Sequence, residues 1–302
     1  MKIAILMSTY NGSRYLDEQL ESIFNQRVDA KVEVYIRDDG STDDTIEIVQ
    51  NWKTKLDIRL FKGKNVGPAK SFWELFTSDA IEADYYAFCD QDDIWDSNKL
   101  QVGIEALENQ IDETVWCSNC RIIDQNGEIL NEKMNKVSPK FTIISQFVCG
   151  TTQGCAMILN DKLRKYILKN NIQNMPMHDF VIITYAIAKG KVIYDDRPYF
   201  GYRVHSNNVV AKEGKTFLEH MKASLNRWFS EKHRNELSNY AQYFLRDNAD
   251  LLDESTLHYI NNLIKSRRNL LCRVKIIFDR RTVSDNKNAE RSFKVRTMLG
   301  IL

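Results

Sequence analysis

Apolar runs that stop abruptly at polar clusters constrain this chain more than any other feature. Ile3 to Met7 gives way to Ser8-Thr9-Tyr10-Asn11-Gly12, Val32 to Ile36 to Arg37-Asp38-Asp39-Gly40-Ser41, and Tyr85 to Cys89 to Asp90-Gln91-Asp92-Asp93. Short β-branched or apolar runs bounded by turn formers read as buried strands. Between them the period changes. Arg14 to Gln26 sets Leu16, Leu20, Ile23 and Phe24 at helical spacing, and Ser41-Thr-Asp-Asp44 is a capping-box-like start for a helix to about Trp52, with Ile46 and Val49 inward. Ile58 to Phe61 adds a strand, and a short helix carrying Phe72, Leu75 and Phe76 follows. Strands alternating with helices fold as βα units around a mainly parallel sheet, so the first hundred residues read as a nucleotide-binding α/β unit.

Beyond Asp93 the pattern loosens into α+β, with strands at Val115 to Ser118 and Ala156 to Leu159 and a helix at Asp179 to Lys189. From Lys215 it becomes helical: Phe217, Met221, Leu225, Trp228 and Phe229 share one stripe, and Leu237, Tyr240, Ala241, Phe244 and Leu245 another. With 302 residues, 43% of them hydrophobic, the chain can bury a full core. A net charge of +1 exerts no global pull toward nucleic acid or membrane. Its distribution is uneven, because Ile264 to Leu302 carries 11 Lys and Arg against 3 Asp and Glu. There Arg267, Arg268, Arg273, Lys275, Arg280 and Arg281 interleave with Leu270, Leu271, Ile276, Ile277 and Phe278, which is the composition of a peripheral membrane contact or of the solvated face of a bundle.

The six cysteines form no disulfide framework, and no signal-peptide pattern precedes the first strand, so a reducing cytoplasm is the expected compartment. Cys117-Ser-Asn-Cys120 lacks the second ligand pair of a zinc site and reads as ordinary buried thiols. Phe141 to Asn160 has the length of a spanning helix but is broken by Gly150, Gly154 and several polar residues, so it is not one.

In open α/β sheets ligands bind beyond the carboxyl ends of the strands, which is where the three polar clusters fall. Each alone is an ordinary turn; their recurrence on successive strands points to a site. In Asp90-Gln91-Asp92-Asp93, carboxylates two apart on an extended segment can aim at a ribose and at a divalent cation. An acidic helix start before Trp95 is the plainer alternative. Unpaired charges directly after an apolar strand are costly, and a metal or sugar hydroxyls would offset that cost.

Taken in order, Ser8-Thr-Tyr-Asn11, Asp38-Asp39-Gly-Ser41, Asn65-Val-Gly67 and Asp90-Gln-Asp92-Asp93 resemble the motifs of family 2 glycosyltransferases of the GT-A fold. His178-Asp179 and Tyr202-Arg203-Val-His205-Ser-Asn207 resemble later motifs of bacterial rhamnosyltransferase-like members. The resemblance implies an α/β GT-A architecture, a Rossmann-like nucleotide-binding sheet with helices on both faces, plus a C-terminal helical appendage. The expected division is a glycosyltransferase domain over 1–214, with a nucleotide-sugar half at 1–100 and an acceptor half at 101–214, and a helical region over 215–302.

Residue by residue, the resemblance implies that Thr9, Tyr10 and Asp39 hold a pyrimidine base, Asp39 accepting from a ring N–H and Tyr10 packing on the ring. Asn11 belongs to the same nucleotide-sugar site, Asn65 and Lys70 line it from a loop, and Asp90 takes the ribose. Asp92 is the implied ligand of Mn²⁺ or Mg²⁺, with Asp93 in support. A lone His205 is as ordinary on a surface or in a satisfied core, but in this context it completes the metal's coordination, and nitrogen ligation favours Mn²⁺. Arg203 would neutralise the departing diphosphate. Gly154, Cys155 and His178 would line the sugar and acceptor end. Asp179 would be the catalytic base, although many relatives carry Glu-Asp where this chain has His178-Asp179. A metal-bound nucleoside diphosphate departs without protonation, so one base suffices and a single displacement inverts the anomeric centre.

The implied donor is a dTDP- or UDP-sugar, with rhamnose favoured, and the implied acceptor a lipid-linked glycan, in capsular or cell-wall polysaccharide synthesis at the inner face of the cell membrane. No nucleic-acid partner is implied. Two other classes compete. A nucleotidyltransferase normally has a glycine-rich basic loop where this chain has Thr9-Tyr10-Asn11, and a non-catalytic sugar-binding module would need neither Asp92 nor Asp179.

Overall fold

The computed structural model describes residues 1–170, 172, 175–205 and 235–302. The Phe217 to Phe229 stripe, Asn207 and the 214/215 boundary fall outside these residues. The strands are β1 (Lys2–Thr9), β2 (Lys31–Asp38), β3 (Ile58–Lys62), β4 (Tyr85–Cys89), β5 (Ile94–Trp95), β6 (Thr114–Ile123), β7 (Ile129–Asn131), β8 (Met157–Asn160) and β9 (Lys191–Arg203). They form one sheet in the order β3-β2-β1-β4-β8-β6-β9-β5, with β7 paired to β6. β1 to β4 are mutually parallel where they pair. The second half is mixed: β8 runs antiparallel to both β4 and β6, and β9 is parallel to β6 but antiparallel to β5.

Successive residues of a strand point to opposite faces, and both faces here are covered. Ala4, Leu6, Tyr86 and Phe88 pack with Phe72 and Phe76 of α3 (Pro68–Phe76) and with α5 (Ile143–Cys149), α6 (Asp161–Leu168) and α7 (His178–Lys189). Ile3, Ile5, Met7, Ala87 and Cys89 pack on the other side against α1 (Leu16–Phe24), α2 (Thr45–Trp52) and α4 (Lys99–Glu108). That two-sided burial is why β1 reads as an unbroken apolar run.

Two local expectations change. Phe24 does not join the inward stripe; it is 51% exposed, its ring 6.2 Å from that of Trp52. Asp44 at the start of α2 makes no side-chain cap. Asp43 accepts from the backbone N–H of Thr45 at 3.1 Å and of Ser13 at 3.0 Å, so the capping carboxylate also anchors the loop after β1. β9 escaped the sequence reading because Asp195-Asp196-Arg197-Pro198 interrupts its apolar pattern, and the bulged pairing with β6 absorbs that interruption.

The C-terminal helices are α8 (Glu236–Asn248), α9 (Glu254–Lys265), α10 (Leu270–Phe278) and α11 (Lys287–Leu299). They extend the core on the α5–α7 side. Tyr240 lies 6.1 Å from Phe147 and 5.4 Å from Phe180, and Phe244 lies 5.5 Å from Tyr185. Truncating a buried ring of this kind costs about 3–5 kcal/mol.

Candidate active site

The loops after β1, β2 and β4 are stitched together by side chains that the motifs themselves supply. Gln91 accepts from the Tyr10 N–H at 2.9 Å and donates to the Tyr10 carbonyl at 3.2 Å. A Cβ on Gly12 would stand 2.2 Å from Gln91 Oε1, so a side chain there would push the Gln91 amide off its two bonds to Tyr10. Asn11, at φ 46°, accepts from the Thr42 N–H at 2.8 Å, a left-handed conformation that asparagine tolerates. Thr9 is fully buried and donates to Asp38 at 3.2 Å, whereas the Tyr10 ring is 47% exposed and free to meet a planar ligand.

Asp39 is 2% exposed, and its carboxylate is already engaged. It accepts from Arg37 at 2.5 Å and from the backbone N–H of Val66 at 2.9 Å and Gly67 at 2.8 Å. Asp39 therefore orders the loop that carries Asn65, which is itself exposed. Lys70 is exposed too, but it lies in the first turn of α3 and not in the loop as expected.

The acidic cluster sits where β4 ends. Asp90 is pushed up to about 7 by burial and by the charges of Asp92 and Asp179, with a hydrogen bond from Cys155 pulling it back. Asp92 Oδ2 and His205 Nε2 are 2.9 Å apart, and the His205 ring packs 4.9 Å from Tyr15. Asp93 is wholly buried; one oxygen accepts from the Arg203 N–H at 3.2 Å, and Oδ2 has no hydrogen-bond partner among the described residues. Beneath the cluster lies Lys99, also wholly buried, its ammonium 2.6 Å from the Cys155 carbonyl and 3.7 Å above the Trp95 ring. Burial pushes its pKa down, while neighbouring Asp93 and the thiols oppose that.

A divalent cation can be tested against two donor sets. Asp92 and His205 are hydrogen-bonded to each other at 2.9 Å; two ligands at right angles, each about 2.1 Å from one ion, lie roughly 3 Å apart, so an ion would take the place of that hydrogen bond without the two side chains moving far. Asp90, Asp93 and Cys155 also bring one ligand atom each within 4.8 Å. Burial holds the Cys155 thiol well above its ordinary pKa, so that set offers a protonated sulfur, a poor partner for an oxygen-seeking ion. Cys117 and Cys120 are free and buried, and burial raises both their pKa values, as expected of ordinary thiols.

Asp179 lies in the first turn of α7, where the helix dipole favours a carboxylate. It is pushed up to about 6 by burial, which backbone hydrogen bonds from Phe180 and Gly154 partly counter. His178 beside it is 3% exposed between two phenylalanine rings, and burial pushes its pKa down to about 3. It stands behind Gly154 and does not present itself on an open pocket wall.

Arg203 departs furthest from expectation. Its side chain is fully enclosed, donating to the carbonyls of Asp92 at 2.8 Å and Gln125 at 3.0 Å and to Glu18 at 2.6 Å. It is a brace that ties the acidic loop to the 124–125 turn and α1, and not a cation facing a diphosphate. Of the bracing residues, Arg37 and Gln91 stood inside the polar clusters without an assigned role, whereas Lys99 and Glu18 went unnoticed in the sequence because neither carries a local signal.

Apart from this cleft, a polar surface cavity of about 350 Å³ lies on α8, lined by Asn239, Gln242, Tyr243 and Arg246. No helix among the described residues is long and apolar enough to cross a membrane.

A family model described as glycosyl transferase family 2 matches residues 4–169. The dTDP-rhamnosyl transferase RfbG of Shigella flexneri is 28% identical over 272 residues, covering 85% of this chain and 91% of that protein. Among solved structures, Staphylococcus aureus TarS 1–349 in complex with UDP-GlcNAc superposes with a TM-score of 0.57 at 18% identity, over 99% of this chain and 89% of that one. The mannosyltransferase PcManGT of Pyrobaculum calidifontis, in complex with GDP-Man and Mn²⁺, gives a TM-score of 0.54 at 15% identity over 98% and 86%. At these identities the superpositions speak for the GT-A fold.

Proposed function

The chain belongs to glycosyl transferase family 2 and is a glycosyltransferase, and on that premise we propose that it is an inverting, metal-dependent enzyme that transfers rhamnose from a dTDP-linked donor to a glycan hydroxyl. One observation carries the reading: the 154–155 turn brings two distant acidic segments together, since Cys155 has its sulfur within 4.8 Å of carboxylate oxygens of Asp90 and Asp93 while Gly154 packs on His178, the neighbour of Asp179, whose charge helps to raise the Asp90 carboxyl. The resemblance to a dTDP-rhamnosyl transferase along most of both chains supports the donor, with a UDP-hexose as the alternative.

Tyr10, Asp39 and Asn65 would receive the base, and Asp90 the ribose. Asp92 and His205 would hold Mn²⁺ or Mg²⁺, which when bound supplies positive charge to the departing diphosphate. Asp179 takes the proton of the acceptor hydroxyl as that oxygen attacks the anomeric carbon and the bond to the diphosphate breaks. Its carboxyl, held near 6, is mostly ionised at neutral pH yet more basic than an ordinary aspartate. Attack from the face opposite the leaving group inverts the configuration. The test incubates the purified chain with a panel of nucleotide sugars and Mn²⁺ and measures nucleoside diphosphate release. Release from dTDP-rhamnose that vanishes in Asp92→Asn is expected; pyrophosphate formation would indicate a nucleotidyltransferase, and no turnover of any donor a binding module.

The same reading places the acceptor at a lipid surface, which the C-terminal helices support. Leu270, Leu271, Val274 and Phe278 are 68%, 72%, 45% and 78% exposed, while Cys272 and Ile276 on the opposite arc of α10 are buried. Val295, Met298 and Leu299 are exposed on α11, which Arg273 joins to α10 through the Met298 carbonyl at 3.0 Å. Arg268, Lys275 and Arg280 are exposed around the apolar arc. Apolar arcs with basic flanks suit an anionic leaflet, each cation contributing about 1 kcal/mol. A second copy fits poorly, since pairing would bring two strongly basic segments together.

A further inference from the structure

We propose that His178 is a positioning residue whose imidazole acts as a wedge, pressing the Gly154 turn against the Asp179 carboxylate. The proposal rests on the reading of Asp179 as the base. The His178 ring is held between Phe72 of α3 and Phe88 of β4, with centroids 4.4 Å and 4.7 Å away. Neither ring nitrogen has a hydrogen-bond partner among the described residues. Burying an imidazole with unpaired nitrogens is unfavourable, so packing holds the ring there and not polar contact.

What the ring touches on its third side is Gly154. A Cβ on Gly154 would stand 2.3 Å from His178 Nε2 and 3.1 Å from Cε1. Gly154 is not among the glycines with positive φ, so the imidazole, and not backbone strain, is what demands glycine. The backbone of Gly154 in turn lies close enough to the Asp179 carboxylate to pull its pKa down against the effect of burial. On its far side the turn is tied down by Lys99, which donates to the Cys155 carbonyl at 2.6 Å. The base is thus aimed by a turn clamped between a buried ammonium and a buried ring. At 3% exposure His178 can serve this role without meeting a sugar.

The test compares His178→Phe, His178→Ala, Gly154→Ala and the double variant H178A/G154A by donor turnover and by hydrogen exchange at the Gly154 amide. A ring that works by shape makes His178→Phe nearly normal. His178→Ala and Gly154→Ala should each lower kcat about tenfold with KM for the donor little changed, because a base displaced by a fraction of an ångström loses rate before affinity. The double variant should be faster than either single one, since removing the ring makes room for the methyl group. Gly154 exchange should quicken in His178→Ala and stay slow in His178→Phe. If His178→Phe is as slow as His178→Ala and KM rises in both, the nitrogens bind substrate and the wedge is wrong. Should His178→Ala not fold, His178→Leu makes the same comparison. Gly154 exchange that follows the ring while kcat does not would overturn the base assignment and leave the wedge standing; exchange indifferent to the ring overturns the wedge.

Discussion

The cleft and the α10–α11 face break the same rule in opposite directions. In the cleft Asp93 and Lys99 are wholly buried and Asp90 and Asp179 are held in partly protonated ranges, where folding alone would favour apolar residues. On α10 four large apolar side chains stand in water, where folding alone would favour polar ones. Each departure costs stability in the isolated chain, and under the proposed function each would be relieved by something that binds: a cation and a nucleotide sugar in one case, a lipid surface in the other. Departures from sorting that cluster and share a chemistry are functional hypotheses; scattered ones are ordinary surface.

The sharpest way to break the comparison is to remove the proposed base. Asp179→Asn should cut transfer about 10²-fold or more, the scale of general-base loss, while donor affinity measured by nucleotide binding stays near normal. Collapse of donor affinity along with turnover would reassign Asp179 to binding.

A smaller effect comes from pH. Because burial raises Asp179 to about 6, its active ionised form is lost as pH falls through that value, and kcat should drop about tenfold between pH 7 and pH 5. The stability sign is opposite. A carboxyl with a raised folded-state pKa contributes stability that is present below the ordinary carboxylate range and lost as pH rises through about 6. Asp179→Asn should therefore melt at a higher temperature than the parent at pH 8 and show little difference at pH 4. A variant that melts lower at pH 8 would mean that the carboxylate is a net support to the fold.

The smallest expected effect on the fold is on α10. L271S/F278S should abolish flotation with anionic liposomes at low salt while changing unfolding free energy by no more than about 0.5 kcal/mol, as for exposed sites generally. The parent should remain behind with neutral liposomes. Equal flotation with both lipids, or a large loss of stability in the variant, would turn the face into part of a protein contact.

Legibility followed how local each signal was. Ser8 to Asn11, Asp38 to Ser41 and Asp90 to Asp93 stood out because a strand end and its polar cluster are contiguous in the chain. Gly154 and His178 were marked for the sugar or acceptor end, yet no pattern within either segment reveals that one stands against the other. Arg203 carried a misleading signal, since a cation near a diphosphate motif reads as a ligand until its donors are counted. The C-terminal helices were legible from their stripes, but their docking on the α5–α7 side was not.

By itself, then, the sequence determined the βα order, the helical C-terminal segment, the charge imbalance after Ile264 and the identity of the strand-end clusters, because apolar periodicity and turn chemistry act over a few residues. Tertiary structure alone decided that Asp92 meets His205 across 113 positions of chain, that the Arg203 guanidinium meets Glu18 and the carbonyls of Asp92, Asp124 and Gln125, and that Gly154 yields its Cβ space to an imidazole. Those are close contacts between segments far apart in the chain, and a packed interior accepts only the arrangement in which every neighbouring volume and donor is satisfied at once.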